Sequence, residues 1–275
     1  MRLFLDSGIL EEIEEIQSYG ILDGVTLNPS LVKKAVENIR KSGKAKINMA
    51  DYIKKILNTV PGLPVSLEVI GLDEQQMIDE ARRLYDLFNP VANNVYVKIP
   101  VNCAFGDKEN DFDAVGAIKA AASEGIPINC TLIFTPEQAL LAAKAGASFV
   151  SPFVGRIDDH IRKRAGITFK KEDYFPSEGI TQGSTLLDDN GILSGIDLVR
   201  KIVKIFNRYG IGTKVLAASI RNTRQLRESA LAGADIATAP YNVIKGLVCH
   251  LKTREGMEKF TGDVVQEYAS LLRGD

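Results

Sequence analysis

A parallel (β/α)8 barrel of class α/β is what the sequence predicts, and three observations carry that expectation. The chain has 275 residues, 45% hydrophobic and 25% charged, an ordinary globular balance and a usual length for one such barrel. Short runs rich in Val, Ile, Leu and Phe, bounded by Gly, Pro or Asn, occur eight times and alternate with longer helical patterns. Two segments also repeat one another weakly, Ala145-Gly146-Ala147 through Pro152 and Ala232-Gly233-Ala234 through Pro240. In both, a helix ends at Ala-Gly, whose glycine supplies a left-handed cap, and a strand starts at once.

Each element follows from its local pattern. Strand 2–6 is followed by Ile9, Leu10, Ile13 and Ile16 at helical spacing, with glutamates on the opposite face. Strand 24–28 runs into Asn28-Pro29-Ser30, which opens a helix with Pro in its first turn. Residues 38–62 exceed what one unit needs and predict an added helix around Tyr52–Val60. Strands 64–69, 94–99 and 126–131 come next, and Thr135-Pro136-Glu137-Gln138 is a capping box. After strand 147–151, residues 157–195 read as an extended loop with short helices above the sixth strand, and the Arg162-Lys163-Arg164 run as a solvated helix face. Strands 213–218 and 234–238 complete the eight, and Gly262–Leu272 has the apolar spacing of a C-terminal helix. No low-complexity stretch divides the chain, so residues 1–275 are read as one domain.

Composition excludes several classes of function. Lys plus Arg total 34 against 35 Asp plus Glu, which leaves no basic footprint for nucleic acid or an anionic membrane. No apolar run approaches the ~20 residues of a membrane span, and Asp6 comes too early for a secretory leader. Cys103, Cys130 and Cys249 form no CxxC pair, which predicts free thiols in a reducing compartment and hence the cytoplasm. His160 and His250 are the only histidines and do not cluster, so a His-rich zinc or iron site is not expected.

In this architecture chemistry belongs to the C-terminal ends of the strands. Those ends are polar throughout: Asp6, Thr26 and Asn28, Ser66 and Glu68, Lys98, Asn129 and Thr131, Ser151, then Ser219 with Arg221 just beyond. Residues two apart share a strand face, so an inward face would gather these groups into one pocket. Lys98 is the sharpest case, because Val95-Tyr96-Val97-Lys98-Ile99-Pro100 is otherwise hydrophobic. A buried ammonium costs several kcal/mol unless compensated, and desolvation favours the neutral, nucleophilic amine that Schiff-base chemistry requires. Taken alone, a lysine at a strand end reads equally as one that snorkels out to pair with Asp6 or Glu68. The two carboxylates serve either as acid and base or as counter-ions. Arg156 and Arg221, with Ser219, suit an anion such as phosphate, unless they pair with Asp158 or another loop acid. Lys214 stands at the start of its strand and is assigned no chemistry.

These residues carry a resemblance. Gly24-Val25-Thr26-Leu27-Asn28-Pro29-Ser30 resembles the Thr-x-Asn-Pro-Ser signature of the transaldolase family, which includes small transaldolases and fructose-6-phosphate aldolases. Val97-Lys98-Ile99-Pro100 is similar to that family's Schiff-base lysine segment. Asn129-Cys130-Thr131-Leu132-Ile133-Phe134 and Ser151-Pro152-Phe153-Val154-Gly155-Arg156 resemble its next two strand-end motifs. The match runs in order from Asp6 to about Tyr241.

The resemblance implies a class I, Schiff-base barrel of carbohydrate metabolism and the pentose phosphate pathway, acting on phosphorylated ketoses without metal or cofactor. It implies that Lys98 forms the imine, Asp6 moves the C4 hydroxyl proton, and Glu68 and Thr131 hold a proton-shuttling water. Thr26, Asn28, Asn129, Ser151 and Phe153 would line the sugar site, and Arg156, Ser219 and Arg221 would bind the phosphate. Related aldolases release dihydroxyacetone and carry Gln in place of Glu68 and Tyr in place of Phe153, so Glu68 and Phe153 imply the transferring type. Short members assemble into pentamers and decamers through a C-terminal helix, so a homo-oligomer is expected, with sugar phosphates as small-molecule partners. Two other readings stand beside the transferase: an aldolase releasing dihydroxyacetone, and a sugar-phosphate-binding barrel without chemistry.

Overall fold

The computed structural model describes residues 1–41, 48–102, 104 and 110–273. Its strands are β1 (Arg2–Asp6), β2 (Gly24–Thr26), β3 (Val65–Glu68), β4 (Val95–Pro100), β5 (Ile128–Ile133), β6 (Phe149–Pro152), β7 (Thr181–Gln182), β8 (Thr185–Leu186), β9 (Lys214–Ala217) and β10 (Ile236–Ala239). Eight of them close a parallel barrel in the order β1-β10-β9-β6-β5-β4-β3-β2, and β7 and β8 form a separate antiparallel ribbon. Helices α1 (Leu10–Ser18), α2 (Pro29–Lys41), α3 (Met49–Thr59), α4 (Glu74–Ala92), α5 (Asp113–Ser123) and α6 (Pro136–Lys144) belong to the first half. The second half holds α7 (Val154–Arg164), α8 (Gly195–Tyr209), α9 (Thr223–Leu231), α10 (Tyr241–Gly246), α11 (Leu251–Gly262) and α12 (Gln266–Arg273). All eight expected strands are present, and the fold is a (β/α)8 barrel.

The alternation of side chains along each strand divides the molecule into two cores. Outward-facing Leu5, Val25, Val65, Val97, Ile128, Val150 and Val215 pack under the helices in one large cluster. Inward-facing Phe4, Phe149, Leu216 and Ile236 form a second cluster within the barrel, with Tyr96 stacked on Phe149 at 4.6 Å. Gly24 belongs to this inner layer because a Cβ there would lie 2.5 Å from the Phe4 ring. Two residues further along the same strands the inward positions become polar: Asp6, Thr26, Lys98, Ser151 and Thr238. The aromatic layer is thus the floor on which the polar layer rests.

The local signals place the helices. Thr135 and Gln138 complete the capping box of α6, and Asn28 Oδ1 accepts the Leu31 N–H at 3.0 Å in the first turn of α2. The added helix is α3, whose Tyr52 hydroxyl donates to the Gly8 carbonyl at 2.8 Å; residues 42–47 of that segment lie outside the described residues. Two expectations are corrected. Residues 157–195 hold no run of short helices: α7 continues unbroken to Arg164, a loop follows, and then the β7–β8 ribbon. Arg162 is not on a solvated face but is 6% exposed, since α7 turns it under that loop. The C-terminal helix expected over Gly262–Leu272 is present as α12, which begins at Gln266; a separate helix, α11, precedes it and ends at Gly262, and neither α11 nor α12 buries a residue. Of the cysteines, Cys130 is buried and Cys249 exposed, both free, and Cys103 lies outside the described residues.

Two glycines test this packing in opposite directions. Gly195 opens α8 against the start of α7, where a Cβ would meet the Val154 carbonyl oxygen at 2.3 Å and its Cα at 2.4 Å. Gly195→Ala is expected to destabilise by at least about 2 kcal/mol, lowering the melting temperature by several degrees. Gly256 lies within exposed α11, and a Cβ there meets nothing within 4 Å. Gly256→Ala is expected to stabilise by about 0.5–1 kcal/mol through helix propensity. Thermal or urea unfolding of the two variants reads both effects.

Candidate active site

A cavity of about 610 Å³ opens at the C-terminal end of the barrel, above the aromatic layer. Nine of the twelve expected residues line it: Asp6, Thr26, Asn28, Lys98, Ser151, Phe153, Arg156, Ser219 and Arg221. Glu68, Asn129 and Thr131 are not part of the lining, yet each is tied to it or set beside it on adjoining strands.

Lys98 comes from β4, where inward alternation leaves its side chain 6% exposed inside the barrel. Its Nζ lies 3.0 Å from Glu68 Oε2, because parallel pairing sets Glu68 and Lys98 side by side on β3 and β4. The Phe153 ring lies 6.0 Å from the same ammonium. Asp6 ends β1 and accepts a hydrogen bond from Thr26 Oγ1 at 2.6 Å, and Thr26 in turn meets Thr238 Oγ1 at 2.7 Å. Enclosure by protein raises the Asp6 carboxyl above the ordinary aspartate range, while the Thr26 bond and the Lys98 charge pull the other way. Asn129 is fully engaged within the layer: its Nδ2 donates to Ser66 Oγ at 3.0 Å and its Oδ1 accepts from Ser151 Oγ at 2.7 Å. Thr131 Oγ1 is buried with no hydrogen-bond partner among the described residues.

The other end of the cavity is cationic. Arg156 stands over the Phe153 ring at 5.0 Å. Arg221 Nη2 donates to Asp159 Oδ2 at 3.1 Å and its Nε to Ser219 Oγ at 3.3 Å, while its buried Nη1 has no partner among the described residues. An acid does therefore pair with Arg221, Asp159 of α7 rather than a loop residue, but the pairing occupies one arm of the fork and leaves Nη1 without a partner among the described residues. Ser219 has φ of 59°, and Leu132, beside Thr131, has φ of 57°. Backbone strain of this kind at non-glycine residues persists only where the surroundings impose it, and it clusters at functional sites. Over the whole lining, Lys34, Lys98, Arg156, Lys171 and Arg221 outnumber Asp6 and Glu12, which suits an anionic ligand.

Several lining residues escape a reading of strand ends, Thr238, Lys34, Tyr241 and Lys171 among them. Thr238 follows Ile236 by two residues on β10, and that spacing is the signal that marks it. Lys34 lies one helical turn beyond Ser30 on α2, so both reach the cavity. Tyr241 opens α10, and Lys171 sits in the long loop, where no periodicity announces it. Lys214 is half-exposed at the opposite end of the barrel and lies 3.4 Å from Asp235.

An eight-stranded parallel barrel with a polar, cation-rich cavity at its C-terminal face defines the class of this protein. Residues 3–271 match the transaldolase/fructose-6-phosphate aldolase family, and the chain belongs to that family. A probable transaldolase of Thermoplasma acidophilum is 41% identical over 96% of this chain and 95% of its own. A probable transaldolase of Chlorobaculum parvum is also 41% identical, covering 96% of this chain and 97% of its own. Among solved structures, a crystal structure of 3-hexulose-6-phosphate synthase aligns with a TM-score of 0.51 at 16% identity, over 90% of this chain and 98% of that one, a likeness of fold alone.

Beneath the cationic end, Asp158 accepts hydrogen bonds from the Gly195 N–H at 2.7 Å and from Gln225 Nε2 at 2.8 Å. Gln225 Oε1 accepts the Arg221 N–H at 2.8 Å, so Asp158 braces the arginine loop through one intermediary. Burial pushes the Asp158 carboxyl up to about 7 despite these donors. The folded protein then retains a proton that the unfolded chain, near 3.8, has released. Stability is expected to fall as pH rises from about 4 to about 7 and to level off above that. Asp158→Asn should lower stability overall and flatten this slope, which urea midpoints from pH 5 to pH 8 would report. An unchanged slope would assign it to another group.

Proposed function

We propose that the protein is a transaldolase that moves a dihydroxyacetone unit from a ketose phosphate, fructose 6-phosphate or sedoheptulose 7-phosphate, to an aldose phosphate through an imine on Lys98. The observation that carries this reading is the buried Lys98–Glu68 pair at 3.0 Å, at the base of a cavity whose far side presents Arg156 and Arg221. A phosphate held by the arginines directs the carbonyl end of a sugar toward the lysine, which is the orientation imine formation needs.

The amine must lose a proton to attack C2, and the adjacent Glu68 is the acceptor. Water leaves from the carbinolamine, and Glu68 with Thr131 returns and removes protons in that exchange. The iminium then draws the electrons of the C3–C4 bond into an enamine while Asp6 takes the C4 hydroxyl proton. A carboxylate with a raised proton affinity is suited to that step. The aldose phosphate departs, and an acceptor aldehyde is attacked by the enamine, Asp6 giving its proton to the new alkoxide. Water finally hydrolyses the iminium and frees Lys98. Phe153 presents a ring, without a hydroxyl, toward Lys98, which keeps the enamine dry and favours transfer over release. Such a metabolic enzyme fits the reducing cytoplasm expected from the unpaired thiols.

Borohydride reduction in the presence of fructose 6-phosphate, followed by peptide mass spectrometry, tests the mechanism. A dihydroxyacetone adduct on Lys98 is expected, and its absence there with phosphate still bound would support a non-catalytic barrel. Lys98→Ala should abolish turnover. Glu68→Gln should slow imine formation by about 10²-fold while phosphate binding persists. Product release without any acceptor would identify an aldolase instead.

A further inference from the structure

The loop that follows α7 is held down with unusual thoroughness for a surface segment. Arg162, buried on α7, donates through Nη2 to the carbonyls of Asp173 at 3.1 Å and Tyr174 at 2.7 Å. Its guanidinium also lies 5.0 Å from the Phe169 ring and 4.9 Å from the Phe175 ring, one from each side of the turn it fastens. Asn222, the residue after Arg221, donates to the Glu172 carbonyl at 3.2 Å. Arg224 stacks on the Tyr174 ring at 3.6 Å, and the Tyr174 hydroxyl donates to Glu228 at 2.8 Å. Three successive carbonyls, 172 to 174, are thus claimed by side chains of α7 and of the arginine loop.

The tip so fixed is a turn from Lys170 to Asp173, closed by the Asp173 N–H to the Lys170 carbonyl at 3.0 Å and the Lys170 N–H to Asp173 Oδ2 at 2.8 Å. Lys171 stands at this tip and lines the same cavity as Arg156, Ser219 and Arg221. It has no carboxylate partner among the described residues, and its charge acts on Asp6 across the cavity. Backbone carbonyls pinned this firmly give a long side chain a defined origin, which lowers the entropy lost when its ammonium meets a ligand.

We infer that Lys171 is a specificity-determining residue that contacts the anionic group of the substrate, and that Arg162 is the positioning residue that holds it there. This rests on the reading of the cavity as a sugar-phosphate site and adds a third cation to the arginine pair. The segment after α7 is then part of the anion site, supplied from outside the barrel strands. Because Lys171 remains exposed, its contribution is that of a solvent-facing ion pair and is screened by salt.

Calorimetric titration of the full chain with inorganic phosphate tests the assignment without turnover. Lys171→Ala is expected to weaken phosphate binding about fivefold at low salt, with the difference shrinking as salt is raised, and Lys171→Arg should recover most of it. Arg162→Met should weaken binding by a similar factor and add little when combined with Lys171→Ala, since both remove one contact. Arg162→Lys, which keeps the charge but not the two-carbonyl reach, is the companion variant should the methionine variant fail to fold. Unchanged phosphate affinity in Lys171→Ala would overturn the inference, and full additivity of the two variants would overturn the role given to Arg162. The reaction assignment fails separately: turnover surviving in Lys98→Ala would refute the imine mechanism and leave the phosphate titrations as they stand.

Discussion

An ammonium enclosed in a barrel of parallel strands is the constraint around which this molecule is arranged. Lys98 is buried inside the barrel, and a charge in that position is costly unless neighbouring groups compensate it. Glu68 supplies the opposite charge from the adjoining strand, and the register of β3 with β4 brings the two side by side. Strand closure then decides what else surrounds them, because every second residue of eight strands must face the same interior. Asp6, Thr26, Ser151 and Thr238 gather at the height of Lys98 for that reason alone.

The floor beneath the polar layer matters as much as the layer itself. Phe4, Tyr96 and Phe149 fill the lower barrel, and Arg2 lies 5.6 Å from the Phe149 ring at the opposite end. Gly24 is the concession that lets the Phe4 ring in. A packed floor closes the barrel below Lys98, so the lysine meets the cavity from one side only. Electrostatics and packing here serve the same purpose: the aromatic layer lowers the local dielectric, which strengthens each charge interaction above it.

The cationic end follows a different logic. Arg156 and Arg221 come from segments just past β6 and β9, neighbours in the barrel although far apart in sequence. The Arg221 segment is secured by Gln225 and Asp158, and through Asn222, which donates to the Glu172 carbonyl, it is joined to the loop that Arg162 anchors. Helix α7 therefore serves one end of the cavity twice: Arg156 and Asp158 near its start lie at the cationic end, and Arg162 one turn after Asp158 fastens the adjoining loop.

Much of this was legible in the chain before folding. Strand count, strand positions, the capping of α2 and α6 and the added helix α3 all follow from period and local hydrogen-bonding chemistry, which act over a few residues. Nine of twelve expected residues reach the cavity because alternation and the rule of strand ends are also local. The fate of Arg162 was not legible. A run of three basic residues reads as a solvated face, and only the return of residues 173–175 across α7 buries the first of them. Thr238 is marked only by its two-residue spacing from Ile236, and Lys171 sits in a loop without periodicity, where no sequence signal announces it. Sequence by itself determined which faces are apolar and where each element starts and stops. Tertiary structure alone decided which charges meet, because ion pairs between distant segments depend on the path of the chain and leave no periodic trace.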